Sequence, residues 1–355
     1  MVASLVLLGL ASCVKSEIHD GGMSDVPMMF SIYASRNTSG TKADGSYVAP
    51  GTTVLPANSS FGVMAYYQPG TIGSYTGIWA DQATKLWKPD FMFNEEVTFD
   101  GTDYSYSPLR YWPANDENTI SFWAYYPYSA WAEDNSKSLK FFESNGTTHY
   151  TAASTTGLPV VKYTVASDPA DQQDIMFDAF TKKNMTYASC DPVDGTVDLT
   201  FKHALALVEF QVVEGTGAEV SSFSVTNLYR SGTCSTLPAI SWTGQGDKTD
   251  FSVASLSLSG STTVCTLLIM PQTVRADAEV SITYDIHFAS YDPDHPDDII
   301  YAGNSGSALL STAGITEWEA GKHYIYKISA GFERIEFESA VASDWSVGND
   351  NISVN

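Results

Sequence analysis

The feature that most constrains this chain is a missing one: helical periodicity. No long run places apolar residues at i, i+3, i+4 and i+7, and clusters of Ala, Leu, Glu and Lys are few. Short alternating or aromatic-rich runs recur instead, split by Gly, Asn, Asp, Ser and Pro. Ser60–Tyr67, Ser105–Trp112, Asn118–Tyr126, Val197–Phe201 and Leu205–Val212 are the clearest early ones. Val220–Leu228, Val264–Met270, Val280–Phe288 and His323–Ile328 continue the series. Many short strands with Gly- and Pro-rich turns predict an all-β chain, a sandwich or barrel and not a parallel sheet.

A chain of 355 residues is long for one domain and comfortable for two. The polar break Val213–Glu219 lies between two strong strand patterns and marks a boundary, giving halves 26–213 and 214–355. A second break, Ala188–Gly195, competes with it. Within Asn118–Tyr126, Phe122, Ala124 and Tyr126 share one face, and Trp123 and Tyr125 the other. That alternation predicts core packing on one side and a ladder between strands or domains on the other. The segments Gly70–Phe93 and Glu133–Lys162 read as surface loops or small hairpins.

The head of the chain carries three instructions in order. Leu5–Ala11 is an apolar run ending in Leu10-Ala11-Ser12-Cys13, small residues placed directly before a cysteine. It is too short to span a bilayer and reads as a lipoprotein signal peptide, 1–12, with Cys13 as the lipidation site, although Met1–Ser4 holds no Lys or Arg. A polar tether, 13–25, follows. Met28, Phe30, Ile32 and Ala34 then fall on one face of an extended strand, and Arg36 lies just beyond it in a soft polar segment.

The remaining chemistry is sparse. With 41 acidic against 18 basic residues and a net charge of -23, the chain repels phosphate backbones, which excludes nucleic acid as a partner. No G-x-S-x-G, H-E-x-x-H or P-loop is present, and the six histidines are scattered singly, so neither an enzyme nor a cofactor is expected. His203 reads as a packed or turn-bonded histidine. The run Asp292–Asp298 holds four carboxylates but lacks the Gly and terminal Glu of a calcium loop, so no metal is expected there. Cys190, Cys234 and Cys265 match no metal spacing; Cys265 sits in an apolar run, and a Cys190–Cys234 bridge stays open. Carbohydrate stacking on exposed tryptophans, with Trp79, Trp87, Trp112 and Trp131 as candidates, remains a minority reading.

Taken in order, several short motifs form a pattern. They are the Cys13 lipobox, Phe61–Tyr67, Tyr111-Trp112-Pro113, Phe122–Pro127, Asp174–Ala179 and Phe201–Ala206. In the second half they are Leu268–Gln272, Trp318–Tyr326 and Ser343-Asp344-Trp345. In these the chain resembles the fimbrillin family of Bacteroidales (type V) pilins and fimbrillin-like lipoproteins.

The resemblance implies two tandem transthyretin-like (Ig-like) antiparallel β-sandwiches, exported as a lipoprotein to the bacterial outer membrane and cell surface. It implies cleavage by an arginine-specific protease after the first strand, at Arg36 here, the only arginine before Arg110. Loss of the Met28–Ala34 strand would open a groove for a strand of another pilin subunit, by edge addition. The donor tail after Trp345 would present Ile352 and Val354. Only these two keep an alternating apolar pattern, so stalk, tip and anchor roles all stay open. The other reading is a surface lipoprotein that never polymerises and binds a glycan or host ligand.

Overall fold

A computed structural model describes residues 23–34, 55–70, 88–129, 139–154, 157–178, 182–190, 193–213, 218–259, 262–287, 299–331, 334–345 and 352–353. Strands dominate, and no α-helix occurs among the described residues. The first half holds β1 (Met23–Pro27), β2 (Met29–Ala34), β3 (Ser59–Gln68), β4 (Met92–Phe99), β5 (Tyr104–Ser105) and β6 (Tyr111–Pro113). It continues with β7 (Thr119–Tyr126), β8 (Leu139–Phe142), β9 (Val160–Thr164), β10 (Met176–Asp178) and β11 (Thr196–His203). The second half opens with β12 (Ala206–Val212), β13 (Ala218–Ser235), β14 (Ser241–Ser259), β15 (Thr262–Ile269) and β16 (Gln272–Thr273). Then follow β17 (Glu279–His287), β18 (Ile299–Leu309), β19 (Glu317–Trp318), β20 (Lys322–Ala330), β21 (Ile335–Asp344) and β22 (Ile352–Ser353).

A seven-stranded sheet runs β2-β11-β10-β7-β3-β4-β5, and a two-stranded sheet pairs β1 with β6. The second half builds a five-stranded sheet, β15-β12-β20-β21-β22, and a six-stranded one, β18-β17-β13-β9-β8, with β14 along the other side of β13. The all-β expectation is met. Strand β7 shows how alternation becomes packing: Phe122, Ala124 and Tyr126 enter one core with Phe61 and Val63. Trp123 and Tyr125 enter a second core, which runs on into the C-terminal half. There the Trp123 indole N–H donates to Thr236 Oγ1 at 2.9 Å.

Sheet membership changes over between His203 and Ala206, ahead of the break read at 213/214. β12 bonds to β15 and β20, both C-terminal. β8 and the start of β9 lie in the stretch 133–162 read as surface loops or small hairpins. The two strands pair as a hairpin, add to the C-terminal sheet through β13 and bury Phe141, Val161 and Tyr163. The two halves are thus stitched together by strands that cross between them. Cys190, Cys234 and Cys265 are buried thiols with no disulfide among them. Burial pushes Cys190 up to about 11 and Cys234 up to about 12, which keeps both as unreactive thiols.

Candidate functional site

The N-terminal segment changes sheets in mid-stride. β1 lies antiparallel to β6, with Met23 opposite Pro113 and Pro27 opposite Tyr111. Met28 lies between the strands, and its N–H donates to the Arg110 carbonyl at 2.8 Å. Met29 donates to the Gly195 carbonyl at 3.1 Å, and β2 then runs parallel to β11 from Met29↔Thr196 to Ala34↔Phe201. The strand expected over 28–34 forms as β2 and starts one residue later, at Met29, because Met28 still bonds back to the Arg110 carbonyl beside β6.

The predicted inward face is the buried one. Met28, Phe30 and Ile32 are 0%, 4% and 6% exposed, whereas Met29 is 40% exposed. Phe30 sits in an aromatic cage, edge-on to Phe61, Tyr106 and Phe122 at centroid distances of 6.3, 5.4 and 5.9 Å. Each such burial contributes about 1.5–3 kcal/mol. The Ser31 hydroxyl donates to Asp198 Oδ1 on the supporting strand. Ala34 holds its place in the backbone ladder.

Three residues build the crossing point, and none of these contacts is evident from the strand pattern. The Gly195 carbonyl accepts from both Met29 N–H and the Trp112 indole N–H, the latter at 2.9 Å. Gly195 has φ +91°, and a Cβ there would stand 2.6 Å from the Pro27 carbonyl oxygen. Only glycine lets the two chains approach so closely. The Tyr106 hydroxyl donates to the Met28 carbonyl at 3.0 Å and accepts from the Arg110 N–H at 3.2 Å. Burial pushes this phenol up to about 12, with the Arg110 hydrogen bond opposing, so it stays a donor at neutral pH.

At the other end of the chain, β22 folds back on β21, with Ile352 opposite Ala342 and Ser353 opposite Val341. Cys13, Arg36 and Val354 lie outside the described residues, as do Trp79, Trp87, Trp131 and the Asp292–Asp298 run. Trp112 is fully buried and offers no stacking surface. His203 is packed: its Nδ1 lies 2.8 Å from Asp174 Oδ2, and its ring stacks on Trp345 at 3.7 Å. No cluster of three or more His, Cys, Asp or Glu suited to a metal occurs among the described residues.

A family model described as Fimbrillin-like matches residues 52–345. The chain belongs to that family. Over 127 residues this fimbrillin-like chain is 29% identical to the fimbrium subunit Fim1C of Phocaeicola vulgatus. That match covers 36% of the chain and 30% of the relative's own length. A crystal structure of a fimbrial protein from Bacteroides vulgatus shares the fold, with a TM-score of 0.58 at 19% identity over 90% of this chain and 100% of that one. A fimbrillin-like fold is what the motif order led us to expect.

Proposed function

We propose that the chain is a subunit of a cell-surface fimbria, with a structural and not a catalytic role, joined to other subunits by strand exchange. On this reading Cys13 carries the lipid that holds the precursor in the outer membrane. Cleavage after Arg36 frees β1 and β2, and a strand of another subunit takes their place. The observation that carries this is the position of β2. It ends its sheet and is hydrogen-bonded to β11 alone among the described strands, yet it buries Phe30 and Ile32, with Met28 buried just before it. A strand with one ladder and three side-chain pockets is removable, and it leaves a groove that can select an alternating partner. The donor is the tail with Ile352 and Val354, in which Ile352–Ser353 is extended against β21.

The test is digestion of the purified chain with an arginine-specific protease, followed by N-terminal sequencing and native gels. A new N-terminus at Asn37, a released peptide and a ladder of oligomers are expected, all lost in Arg36→Ala. Cleavage after Arg36 that leaves only monomers would overturn strand exchange.

A further inference from the structure

A trough crosses the C-terminal half where the β13–β14 hairpin faces β16 and β19. It consists of two adjoining clefts of about 510 and 340 Å³, which share Gln245, Gln272 and Thr273. The smaller one contains Trp242. Among the described tryptophans, Trp112, Trp123, Trp318 and Trp345 are fully buried, and Trp242 alone keeps part of its surface in solvent. Its indole N–H donates to the Ala204 carbonyl at 2.6 Å, and its ring edge lies against Gly232, where a Cβ would come within 3.2 Å. The ring is thus fixed from behind and its single donor is used. What it presents to the cleft is apolar ring surface.

Around this surface the cleft is polar. Glu317 and Glu319 are exposed, and Gln245, anchored by its Nε2 to the Pro271 carbonyl at 3.3 Å, stands between the two clefts. At the far end Arg275 lies over the Tyr229 ring and is held by Asp277, Nε to Oδ1 at 2.9 Å and Nη2 to Oδ2 at 3.0 Å. That cation is neutralised, so the trough offers acceptors and aromatic faces but no uncompensated positive charge. With a net charge of -23 the chain also repels anions at a distance. Tyr229 and Cys234, the cross-strand partner of Trp242, stand five residues apart on β13, about 17 Å at about 3.4 Å per residue. The trough is long enough for an extended ligand and too open for a small apolar one.

We propose that this trough binds a neutral oligosaccharide, with Trp242 stacking against the apolar face of one sugar ring and Glu317, Glu319 and Gln245 accepting its hydroxyls. This goes beyond fimbrial assembly and stands whether or not strand exchange occurs. The test uses the intact chain on an array of neutral (glucose-, galactose-, mannose- and N-acetylhexosamine-terminated) and acidic (sialylated, sulfated) oligosaccharides, with short peptides as a third class. The best neutral sugar is then titrated by calorimetry. Selective retention of neutral sugars is expected. Trp242→Ala should weaken binding by about tenfold or more and Gln245→Ala by a few-fold. Because Trp242→Ala also removes a buried hydrogen bond, the exposed pair Glu317→Ala/Glu319→Ala serves as the second variant, again with a several-fold loss and an unchanged melting curve. Retention of acidic sugars or peptides only, no retention at all, or equal binding by wild type and all variants overturns the proposal.

Discussion

β2 and β12 each run parallel to a later strand, β11 and β20 respectively, and they occupy opposite situations. β2 ends its sheet and has one ladder. β12 lies between β15 and β20, has two ladders, and buries Ala206, Leu207, Val208, Phe210 and Val212. Both are well packed, so burial alone does not separate an edge strand from a central one. The number of ladders does. Taking β2 away, together with the β1 that precedes it, costs the β2–β11 row, the short β1–β6 pairing and three pockets, all at the rim of a sheet whose other members still pair. Taking β12 away would split a sheet through its middle and leave two rows of buried main-chain groups unpaired.

The largest effect expected from this contrast comes from matched truncations. Phe210→Ala in β12 should lower global stability by about 3–5 kcal/mol in urea unfolding. Phe30→Ala in β2 should act mainly on local opening, seen as faster hydrogen exchange at the 29–34 amides. Equal losses in global midpoint for the two variants would break the distinction. Next, Gly195→Ala places a Cβ against the Pro27 carbonyl and demands a left-handed residue. A loss of about 1–3 kcal/mol is expected, with protection lost at Met28 and Met29 before any other site.

A pH scan sharpens the β12 side. Glu209 is raised by burial, but hydrogen bonds from His323, Thr263 and Gln211 outweigh this and hold it down to about 2, against an ordinary 4.5. His323 is on β20 and Thr263 on β15, so one carboxylate ties three strands together. A depressed carboxyl stabilises the fold fully above about pH 4.5 and loses that contribution as pH falls through about 2. Glu209→Gln should therefore be less stable than wild type at neutral pH, with the gap closing across that window. The smallest effect belongs to Ser31→Ala, about 0.5–1.5 kcal/mol, since the Ser31–Asp198 hydrogen bond lies at the partly open rim. Amide exchange at Ser31 and Ile32 would register it.

Strands whose side chains alternate, or that are apolar almost throughout, were legible from residue types alone. β2, β3, β7, β12, β15 and β20 all appear where the pattern puts them, and β7 buries its two faces in two different cores as its alternation requires. Ser105–Trp112 reads as one strand but forms β5 and β6, with Pro108 between them where no N–H is available to a ladder. The first half of β14, Thr243–Asp250, is a polar run without alternation. It is a strand because β13 supplies its main-chain partners, a cause that lies outside the segment itself. β8 and β9 pair as one of the small hairpins read at 133–162, but their place in the core is set by β9 bonding to β13, far along the chain. Of the candidate site, Met28, Phe30 and Ile32 were readable, whereas Gly195, Trp112 and Tyr106 meet it only through contacts across the fold.

Residue order by itself determined the all-β class and the apolar face of the first strand. These follow from a local rule, the period of two along a pleated backbone. Only the tertiary structure decided that β2 stands at an edge and β12 at a centre, and that Trp242 is the described tryptophan left partly in solvent. Edge or centre is a property of hydrogen bonds between segments far apart in the chain. Two strands with equally apolar faces differ in it solely by what the remaining chain places beside them.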